Sequence, residues 1–507
     1  MKDISSTGSF VDFTLENFIY VDKTVYIPQL VKLKRVFISR PRRFGKSLTL
    51  DTIATLFETG VEPYFKGTWI YDKWTEPTYP VLRLNFLNFD KNSLEKFNNK
   101  LNSKITEFAE LNQVTTYKEK EEAEDSIDHL LEQLRLEGRQ IVILIDEYDC
   151  QMTANINNET LYKQFQEKIK SFYANIKDKF AIKFLGITGV TRLKDVSIFS
   201  VGSDINDITN ASAYSQMIGF TRDEIKKYYI DYLKLASSYE NNCSVDDVTD
   251  TQLESMLDMM AQNYDGYCFD EDYEKKVFST WSVNKFFQTM IEKKKVQFGE
   301  YWYDNGGLPS ILVNYLKTHE LNIFEYLDKD KFLKVSSDDF KNPTALTTIN
   351  QNVLMCQTGY LTLRSDLNKT STVALGIPNG EIYKALNRLL ANNIFKGNTD
   401  ITDDYGRSLL EVGTVDDIIN LFNSALNSVS YDNYPIVSES SVQNMLKLYL
   451  LGAHQEVLSE VHEAKGRADL VVNTDNRRIV FEFKYAKNEA EAKSKLSEAV
   501  EQIKTRD

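Results

Sequence analysis

A basic turn near the N-terminus carries the residue types that bind phosphate. The segment RPRRFGKS, residues 40–47, fits the pattern G-x-x-x-x-G-K-[ST] if Arg40 stands in place of the first glycine. In such a loop the backbone N–H groups point into one concavity, the next helix presents its N-terminus, and the lysine reaches the phosphates. Gly45, Lys46 and Ser47 supply these parts, whereas Pro41 removes one donor. The turn predicts a nucleotide phosphate site, with a basic surface turn as the alternative.

Two carboxylates follow an apolar run that is typical of a strand buried on both faces. The run is IVILI, residues 141–145, and it leads directly into Asp146 and Glu147. We expect Asp146 to position Mg²⁺ with Ser47, and Glu147 to orient or deprotonate the attacking water, with Asp149 as the alternative to Glu147. Because the loop and the carboxylates occur together, the nucleotide site is favoured over a surface turn.

Further polar residues surround this pair of motifs. We expect Thr188 or Thr191 to sense the γ-phosphate and Arg192 to contact it, the alternative being a polar strand end satisfied by its own turn. Arg42 and Arg43 either contact phosphate or pair with nearby acids. The residues assigned to nucleotide binding are Arg42, Arg43, Phe44, Gly45, Lys46, Ser47, Leu48, Thr191 and Arg192.

A second group of candidate catalytic residues lies near the C-terminus. GRADLVV places Asp469 on one predicted strand, and RIVFEFK places Glu482 and Lys484 on the next, two residues apart and therefore on one side. Phe481 and Phe483 would then face the core. Paired carboxylates bind Mg²⁺, the metal activates water, and a lysine orients the nucleophile or neutralises developing charge. The alternative is a surface strand with an ordinary Glu–Lys pair.

The elements that must position these residues alternate between strands and helices. Strands are predicted at RVFISR, YPVLRLNFLNF, RQIVILID and FAIKFLGITG, with helical patterns between them. This alternation predicts a doubly wound α/β domain, in which ligands bind at the carboxyl ends of parallel strands. Residues 219–392 have mostly helical patterns, a probable hairpin within residues 357–379, and many Tyr and Phe that we interpret as helix core.

The composition is that of a packed, multi-domain protein. The chain has 507 residues, 42% of them hydrophobic, and a net charge of −14, which argues against nucleic-acid binding over the whole surface but leaves room for a local basic groove. Its four cysteines contain no C-x-x-C pair, which argues against a structural zinc site and against a disulfide framework. Since neither an export signal nor a membrane span is present, we expect a bacterial cytoplasmic protein with no membrane partner.

Several segments together resemble a known family, the AAA-ATPase-like proteins that carry a C-terminal PD-(D/E)XK nuclease-like domain. They cover nearly the whole chain and read YVDKTVYI, RPRRFGKSL, LIDEYD, GVTRLKDVSIFSVGSDINDIT, YDGYCF, GYLT and LGIPN. In that family the loop also reads RPRRFGK, so Arg40 is a family trait. The family's nuclease core consists of a helix, three strands and a second helix. This resemblance implies that Glu439 is a further acid at the metal and that Gln502 lies on the last helix, with Glu460 as the alternative to Glu439.

The resemblance implies a P-loop NTPase core with a parallel sheet, a helical middle region and a nuclease-like α/β domain. We expect an AAA-like ATPase core at residues 1–218, a helical lid or winged-helix-like region at 219–392, a helical linker at 393–433 and the nuclease-like domain at 434–507. The family pattern continues into further sheet, whereas the chain stops at Asp507, so we expect a domain shortened at its C-terminus.

Two functions follow from these expectations. The first is an ATP-binding and ATP-hydrolysing protein that regulates or powers a metal-dependent nuclease. Glu147, Asp469, Glu482 and Lys484 would be catalytic, and Ser47, Asp146, Glu439, Asp469 and Glu482 would lie at the metals. The alternative is a nucleotide-switched signalling or scaffold ATPase whose nuclease-like domain only binds. The expected ligands are ATP or ADP, Mg²⁺ (or Mn²⁺ at the nuclease site), and DNA or RNA. The sequence does not decide the oligomeric state, and an oligomer is compatible with it.

Overall fold

The fold is taken from a computed structural model of the chain. It describes residues 1–177, 179–193, 205–304, 310–316, 319, 323–343, 345–369, 371–395, 404–430, 434–453, 455–463, 466–474 and 476–506. The chain divides into two compact units, which we call unit 1 (Met1–Glu320 with Phe332–Glu381) and unit 2 (Leu321–Lys331 with Ile382–Asp507). The four domain boundaries expected from the sequence stay predictions.

A five-stranded sheet organises the first part of unit 1. Its strands are β1 (Arg35–Ser39), β2 (Val81–Asn85), β3 (Ile141–Asp146), β4 (Ile182–Gly189) and β5 (Asn206–Asp207). They lie in the order β2-β3-β4-β1-β5, and every pairing is parallel. All six residues of β3 are buried, as its unbroken apolar run predicts. The expected parallel α/β core is confirmed.

Helices flank and extend this sheet. In chain order they are α1 (Phe10–Leu15), α2 (Ile27–Leu33), α3 (Lys46–Thr59), α4 (Leu94–Leu111), α5 (Ala123–Leu136), α6 (Cys150–Ala154), α7 (Glu159–Ile176), α8 (Arg222–Tyr228), α9 (Ile230–Asn241), α10 (Asp250–Tyr264), α11 (Thr280–Lys293), α12 (Tyr301–Asp304), α13 (Ser310–Leu316), α14 (Ser337–Lys341) and α15 (Gln351–Gln357). Short 3-10 helices lie at Thr24–Tyr26, Phe86–Asn88 and Val245–Asp247. Helices α4, α5 and α7 connect successive strands, which is the arrangement that a parallel sheet requires.

The later part of unit 1 is mostly helical and has its own core. Helices α8 to α11 bury an aromatic and methionine-rich cluster that includes Tyr229, Met256, Tyr264 and Phe287, so aromatic residues of this region pack the interior as expected. A small antiparallel sheet of β6 (Leu333–Ser336), β7 (Thr362–Leu363) and β8 (Thr372–Gly376) lies in the order β6-β8-β7. Strands β7 and β8 form the hairpin predicted within residues 357–379.

The longer segment of unit 2 begins within α16 (Gly380–Ile394), and it contains a second small sheet. After α17 (Asp404–Val412) and α18 (Val415–Asn427) come α19 (Glu439–Gly452), β9 (Glu456–Glu463), β10 (Gly466–Asn473), β11 (Arg478–Phe481) and α20 (Glu489–Arg506), and a 3-10 helix lies at Ile323–Glu325. The strands form an antiparallel sheet in the order β11-β10-β9. This is the helix, three strands and helix that the sequence predicts.

Within the described part of the chain, no helix is both long enough and apolar enough to cross a bilayer.

Candidate active sites

The phosphate-loop segment joins the end of β1 to the start of α3. Strand β1 ends at Ser39, and Gly45 is the N-cap of α3 with φ of 103°, a left-handed conformation that disfavours residues with a side chain. A Cβ at this position would meet no heavy atom within 4 Å. Glycine is therefore required here by backbone conformation rather than by space. The turn aims the free N–H groups at the start of α3 toward the carboxyl edge of the sheet.

Lys46 lies across this loop. Its side chain is 4% exposed, and Nζ donates to the carbonyl oxygens of Arg40 at 3.0 Å and Pro41 at 3.2 Å. The same ammonium lies 3.6 Å from Oε1 of Glu147. A buried cation held by carbonyls of the loop is positioned to meet a phosphate that enters the loop.

Ser47 and Asp146 meet at the end of β3. Ser47 Oγ donates to Asp146 Oδ2 at 2.6 Å, while Asp146 Oδ1 accepts from Thr188 Oγ1 and from the N–H of Glu147. Strand β4 brings Thr188 there because it pairs with β3. Within the described residues, no group of three or more His, Cys, Asp or Glu could hold a metal. One hydroxyl and one carboxylate still suit Mg²⁺, which takes few protein ligands and completes its shell with phosphate and water.

Glu147 follows Asp146 in a left-handed conformation, with φ of 52°. Burial raises the pKa of the Glu147 carboxyl, the charge of Lys46 opposes this, and the charges of Asp149 and Asp146 add to the rise. Its side chain borders the cavity beside the loop. A carboxyl in this position is placed to accept a proton from a water near the phosphate.

Arg40, which stands where the first glycine is expected, is a buried residue of the loop. It is 1% exposed, and Nη1 donates to the carbonyl oxygens of Ser39 at 2.9 Å and Thr209 at 2.5 Å. Its guanidinium lies 4.2 Å from the centre of the Phe269 ring. Burial lowers the pKa of Arg40 to about 9, so the group remains charged at neutral pH. Arg40 therefore connects the loop to the segment after β5 through hydrogen bonds, a role that the sequence of the loop does not indicate.

The two residues before Gly45 pack against the helical region of unit 1. Arg43 donates to the carbonyl of Tyr301 at 3.2 Å, and its guanidinium lies 4.5 Å from the centre of the Trp281 ring. Phe44 is buried in edge-to-face contact with Tyr267 and Trp302. These two side chains anchor the loop. Arg42 and Leu48 line the cavity beside the loop, and Arg43 and Phe44 also border it.

The side chains of Asp149, Thr191 and Arg192 have partners outside the phosphate loop. Asp149 is 1% exposed and accepts from Thr191 N at 2.7 Å and from Thr191 Oγ1 at 2.6 Å. Arg192 forms an ion pair with Asp207 through Nε. Neither Thr191 nor Arg192 is among the residues that line the cavity at the loop. Thr188 is the residue of this strand end that contacts Asp146.

The cavity beside the loop measures about 350 Å³, and its lining combines charged and apolar residues. The loop and Glu147 contribute charged groups. Apart from Phe44 and Leu48, none of the apolar and aromatic lining residues is among the predicted site residues, although Tyr20 and Val21 begin the segment YVDKTVYI. These residues include Ile19, Tyr20, Val21, Met217, Ile218 and Phe220. In the sequence, their apolar and aromatic character is the signal that could indicate this part of the cavity.

In unit 2, the predicted C-terminal site residues come together. Lys484 Nζ donates to Glu482 Oε1 at 3.0 Å and lies 3.5 Å from Oε1 of Glu439, the first residue of α19. Asp469 Oδ2 accepts a hydrogen bond from the N–H of Phe483 at 2.9 Å. The backbone carbonyl of Asp469 accepts another from the side-chain amide of Gln443 at 2.9 Å. Lys484 therefore joins Glu482 and Glu439, while the Asp469 side chain is engaged with the backbone of Phe483. As at the loop, these described carboxylates do not form a group of three that could hold a metal.

The local backbone at this site differs from the prediction. Strand β11 ends at Phe481, so Glu482 and Lys484 follow the strand instead of lying in it. The reason is that the Asp469 side chain, and not a ladder carbonyl, takes the N–H of Phe483. The rings of Phe481 and Phe483 are still stacked 6.1 Å apart, which keeps the alternation of side chains that the prediction assumed. Glu482 and Lys484 accordingly converge without a strand.

The electrostatics at this site depend on Lys484. Burial lowers its pKa, but the hydrogen bond to Glu482 and the charges of Glu482, Glu439 and Asp469 outweigh burial, so the net pKa is raised. Glu482 is 4% exposed at its side chain and Glu439 is 43% exposed. Carboxylate oxygens are the ligands that Mg²⁺ and Mn²⁺ prefer. Gln502 lies in α20, and the side chain of Glu460 lies outside the described residues.

Comparison with family models assigns both ends of the chain. Residues 5–199 match the model described as "Predicted AAA-ATPase", and residues 437–507 match that of the PD-(D/E)XK nuclease superfamily. The first match contains the phosphate loop with Asp146 and Glu147, and the second contains Asp469, Glu482 and Lys484.

Comparison with known proteins gives distant relatives. A protein of Azotobacter chroococcum, described as an uncharacterized protein in the vnfD 5′ region, is 26% identical over 486 residues, covering 92% of this chain and 86% of the relative. Among solved structures, a Walker-type ATPase of Pyrococcus abyssi has a TM-score of 0.38 and 11% identity, covering 72% of this chain and 94% of the other. Cdc6p of Pyrobaculum aerophilum has a TM-score of 0.22 and 10% identity, covering 72% and 91%. Structural similarity at this level does not establish a shared fold. The two family matches show that this chain carries an N-terminal AAA-ATPase-like domain and a C-terminal PD-(D/E)XK nuclease-like domain.

Proposed function

We propose that unit 1 binds and hydrolyses ATP with Mg²⁺ and that nucleotide binding and hydrolysis regulate or power a metal-dependent nuclease in unit 2. The observation that carries the first half is the contact of Ser47 with Asp146 at the loop that holds Lys46. The phosphates would lie against Lys46 and the N–H groups at the start of α3. When bound, Mg²⁺ would neutralise phosphate charge between Ser47 and Asp146.

The apolar part of the cavity lining suits the base and ribose of a nucleotide. Tyr20 and Phe220 border the cavity together with aliphatic side chains, and Arg42 and Lys46 border it as well. A nucleotide has one flat apolar end and one highly charged end, and the cavity lining includes residues that suit each. Glu147 is the residue that we assign to proton transfer from the attacking water.

The nuclease assignment is carried by the convergence of Lys484, Glu482 and Asp469. Lys484 would orient the attacking water or neutralise charge at the phosphate, and the carboxylates of Asp469 and Glu482, with Glu439 beside them, would hold the metal. A module that only binds does not require a carboxylate pair and a lysine on one side of a sheet. Nucleic acid as the substrate and the cytoplasm as the location are parts of this proposal.

One observation favours the scaffold alternative. Lys484 lies within 3.5 Å of both Glu482 and Glu439, and such pairing neutralises the carboxylates that a metal needs. In that alternative the C-terminal domain binds nucleic acid without cutting it.

A cleavage assay separates the two functions. Single-stranded and duplex DNA and RNA are incubated with the full chain and Mg²⁺ or Mn²⁺, with and without ATP. We expect metal-dependent cleavage that is lost in Asp469→Ala and Lys484→Ala while ATP affinity stays unchanged. Cleavage that survives both substitutions, or that is absent from the wild-type chain on every substrate, contradicts the nuclease assignment. Lys495→Ala, at an exposed lysine of α20 paired with Glu498, is the matched control.

A further inference from the structure

A second cavity of unit 1 lies at the amino edge of the parallel sheet, opposite the phosphate loop. It measures about 610 Å³ and is bordered by residues at strand starts: Lys34 and Arg35 at β1, Gln140 just before β3, and Ile182 and Lys183 at β4. We call it the amino-edge groove. Strand β1 has five residues, which at about 3.3 Å per residue separates this edge from the phosphate loop by about 16 Å. The groove is therefore distinct from the nucleotide cavity.

Basic side chains dominate the walls of this groove. Its lining has one carboxylate, Glu76, against six cations: Lys32, Lys34, Arg35, Lys73, Lys179 and Lys183. Such a cluster reverses the sign of a chain whose net charge is −14. A concave surface lined by one sign of charge concentrates ligands of the opposite sign.

Some of these cations have partners and others are available to a ligand. Lys183 pairs with Glu76 at 2.6 Å, and Lys179 pairs with Asp128. Lys32, Lys34 and Lys73 are exposed, and no carboxylate of the described residues lies within ion-pair distance of them. Three exposed ammonium groups in one groove can follow a chain of phosphates.

Aromatic surface accompanies the charge. Phe180 borders the groove and is 68% exposed, so much of its ring is open to a ligand. Trp69 is 42% exposed, and the ammonium of Lys73 lies 5.0 Å from the centre of its ring. Proteins that hold single-stranded nucleic acid combine a basic groove with aromatic faces on which unpaired bases stack.

We propose that the amino-edge groove binds a single-stranded segment of nucleic acid, with phosphates on Lys32, Lys34 and Lys73 and a base stacked on Phe180. The choice of nucleic acid as the polyanion rests on the proposed nuclease function. A single strand fits better than a duplex because the bases of a duplex are stacked on one another and leave no face for Phe180. The groove would hold the nucleic acid on unit 1 independently of the carboxylates of unit 2.

The test is a fluorescence anisotropy titration of the full chain. The probe is a fluorescein-labelled oligothymidylate of about 20 nucleotides, long enough to span several phosphate contacts. The solution contains EDTA and no nucleotide, so neither cleavage nor ATP hydrolysis affects the result. The variants are the triple substitution Lys32→Gln, Lys34→Gln and Lys73→Gln, and separately Phe180→Ala. Lys163→Gln, at an exposed lysine of the same unit that pairs with Glu159 at 2.6 Å, is the control.

The expected results are specific to the groove. Each lost phosphate contact reduces the slope of log affinity against log salt concentration by about 0.7, so the triple variant should lose about 2 from this slope. Phe180→Ala should weaken binding about tenfold, as loss of one stacked base does. Lys163→Gln should bind as the wild type does. An unchanged ATP affinity in all variants confirms that unit 1 is folded.

Several outcomes would overturn the inference. If the triple variant binds the oligonucleotide like the wild type, the site lies elsewhere. If Lys484→Ala removes binding and the triple variant does not, the site is in unit 2. If a duplex of equal length binds more tightly, or if Phe180→Ala has no effect, the groove is not a single-strand site. The titrations contain EDTA and no nucleotide, so none of these results depends on cleavage or on ATP binding at Lys46. They therefore do not decide whether unit 2 is a nuclease or whether unit 1 is an ATPase.

Discussion

Asp149 lies two residues after Glu147, and its contacts are those of a structural carboxylate, whereas we propose that Glu147 is the catalytic one. It is 1% exposed, and one of its oxygens accepts from both the N–H and the hydroxyl of Thr191, at 2.7 and 2.6 Å. Thr191 is itself fully buried, so Asp149→Ala would leave two buried donors without an acceptor. At roughly 1–3 kcal/mol for each unsatisfied donor, we expect unit 1 to lose about 2–6 kcal/mol of unfolding free energy. Asp149→Asn keeps one acceptor oxygen, and because a single oxygen accepts both donors of Thr191, this variant should lose much less stability than Asp149→Ala.

Tryptophan fluorescence during urea unfolding measures this loss in unit 1. The chain has four tryptophans, Trp69, Trp74, Trp281 and Trp302, and all of them belong to unit 1. Glu159→Ala, which removes an exposed ion pair with Lys163, is the control and should change the free energy by less than about 1 kcal/mol. ATP hydrolysis is measured on the same preparations. If Asp149→Asn unfolds at the wild-type urea concentration but no longer hydrolyses ATP, then Asp149 and not Glu147 acts on the water.

Two further predictions concern buried carboxyls of unit 1. Glu147→Gln removes the proposed proton acceptor, so ATP should bind as in the wild type while hydrolysis falls by a factor on the order of 100 or more, and wild-type turnover of radiolabelled ATP by this variant would reject the assignment. Glu381 is 2% exposed, accepts from Ser282 Oγ at 2.7 Å and from the N–H of Trp302 at 2.8 Å, and burial raises its pKa to about 8. Because the folded state keeps this proton after the unfolded state has lost it, the stability of unit 1 should fall as pH rises from about 4.5 to about 8. Urea unfolding across this range should show a smaller fall in Glu381→Gln, and an identical pH dependence in both proteins would contradict the raised pKa.

The strands that carry the candidate nucleotide site could be predicted from the sequence because they follow simple rules. A strand buried on both faces must be apolar throughout, and residues 141–145 are. Gly45 precedes Lys46 and the start of a helical pattern, and this order predicts the turn into α3. The carboxyl ends of parallel strands meet at one edge, so the contact between Ser47 and Asp146 follows from the topology.

Other features could not be predicted because their partners are distant along the chain. Arg40 contacts the carbonyl of Thr209, 169 residues away, and the ring of Phe269, which makes it a buried part of the fold and not a phosphate ligand. Strand β5 has only two residues, too few for an alternating pattern. The end of β11 is set by a side chain on the neighbouring strand, since Asp469 takes the N–H of Phe483.

Direct measurement of nucleotide binding tests the central claim, that the arginine-rich loop is a working phosphate site. ATP with Mg²⁺ is titrated calorimetrically into the full chain, into Lys46→Ala, and into Lys163→Ala, a control at an exposed lysine that pairs with Glu159 at 2.6 Å. Lys46 is the buried cation at the loop, held by the carbonyls of Arg40 and Pro41. We predict that the wild type and Lys163→Ala bind ATP with equal affinity and that Lys46→Ala shows no binding heat. Equal affinity of Lys46→Ala and the wild type, or no binding to any of the three proteins, would contradict the claim.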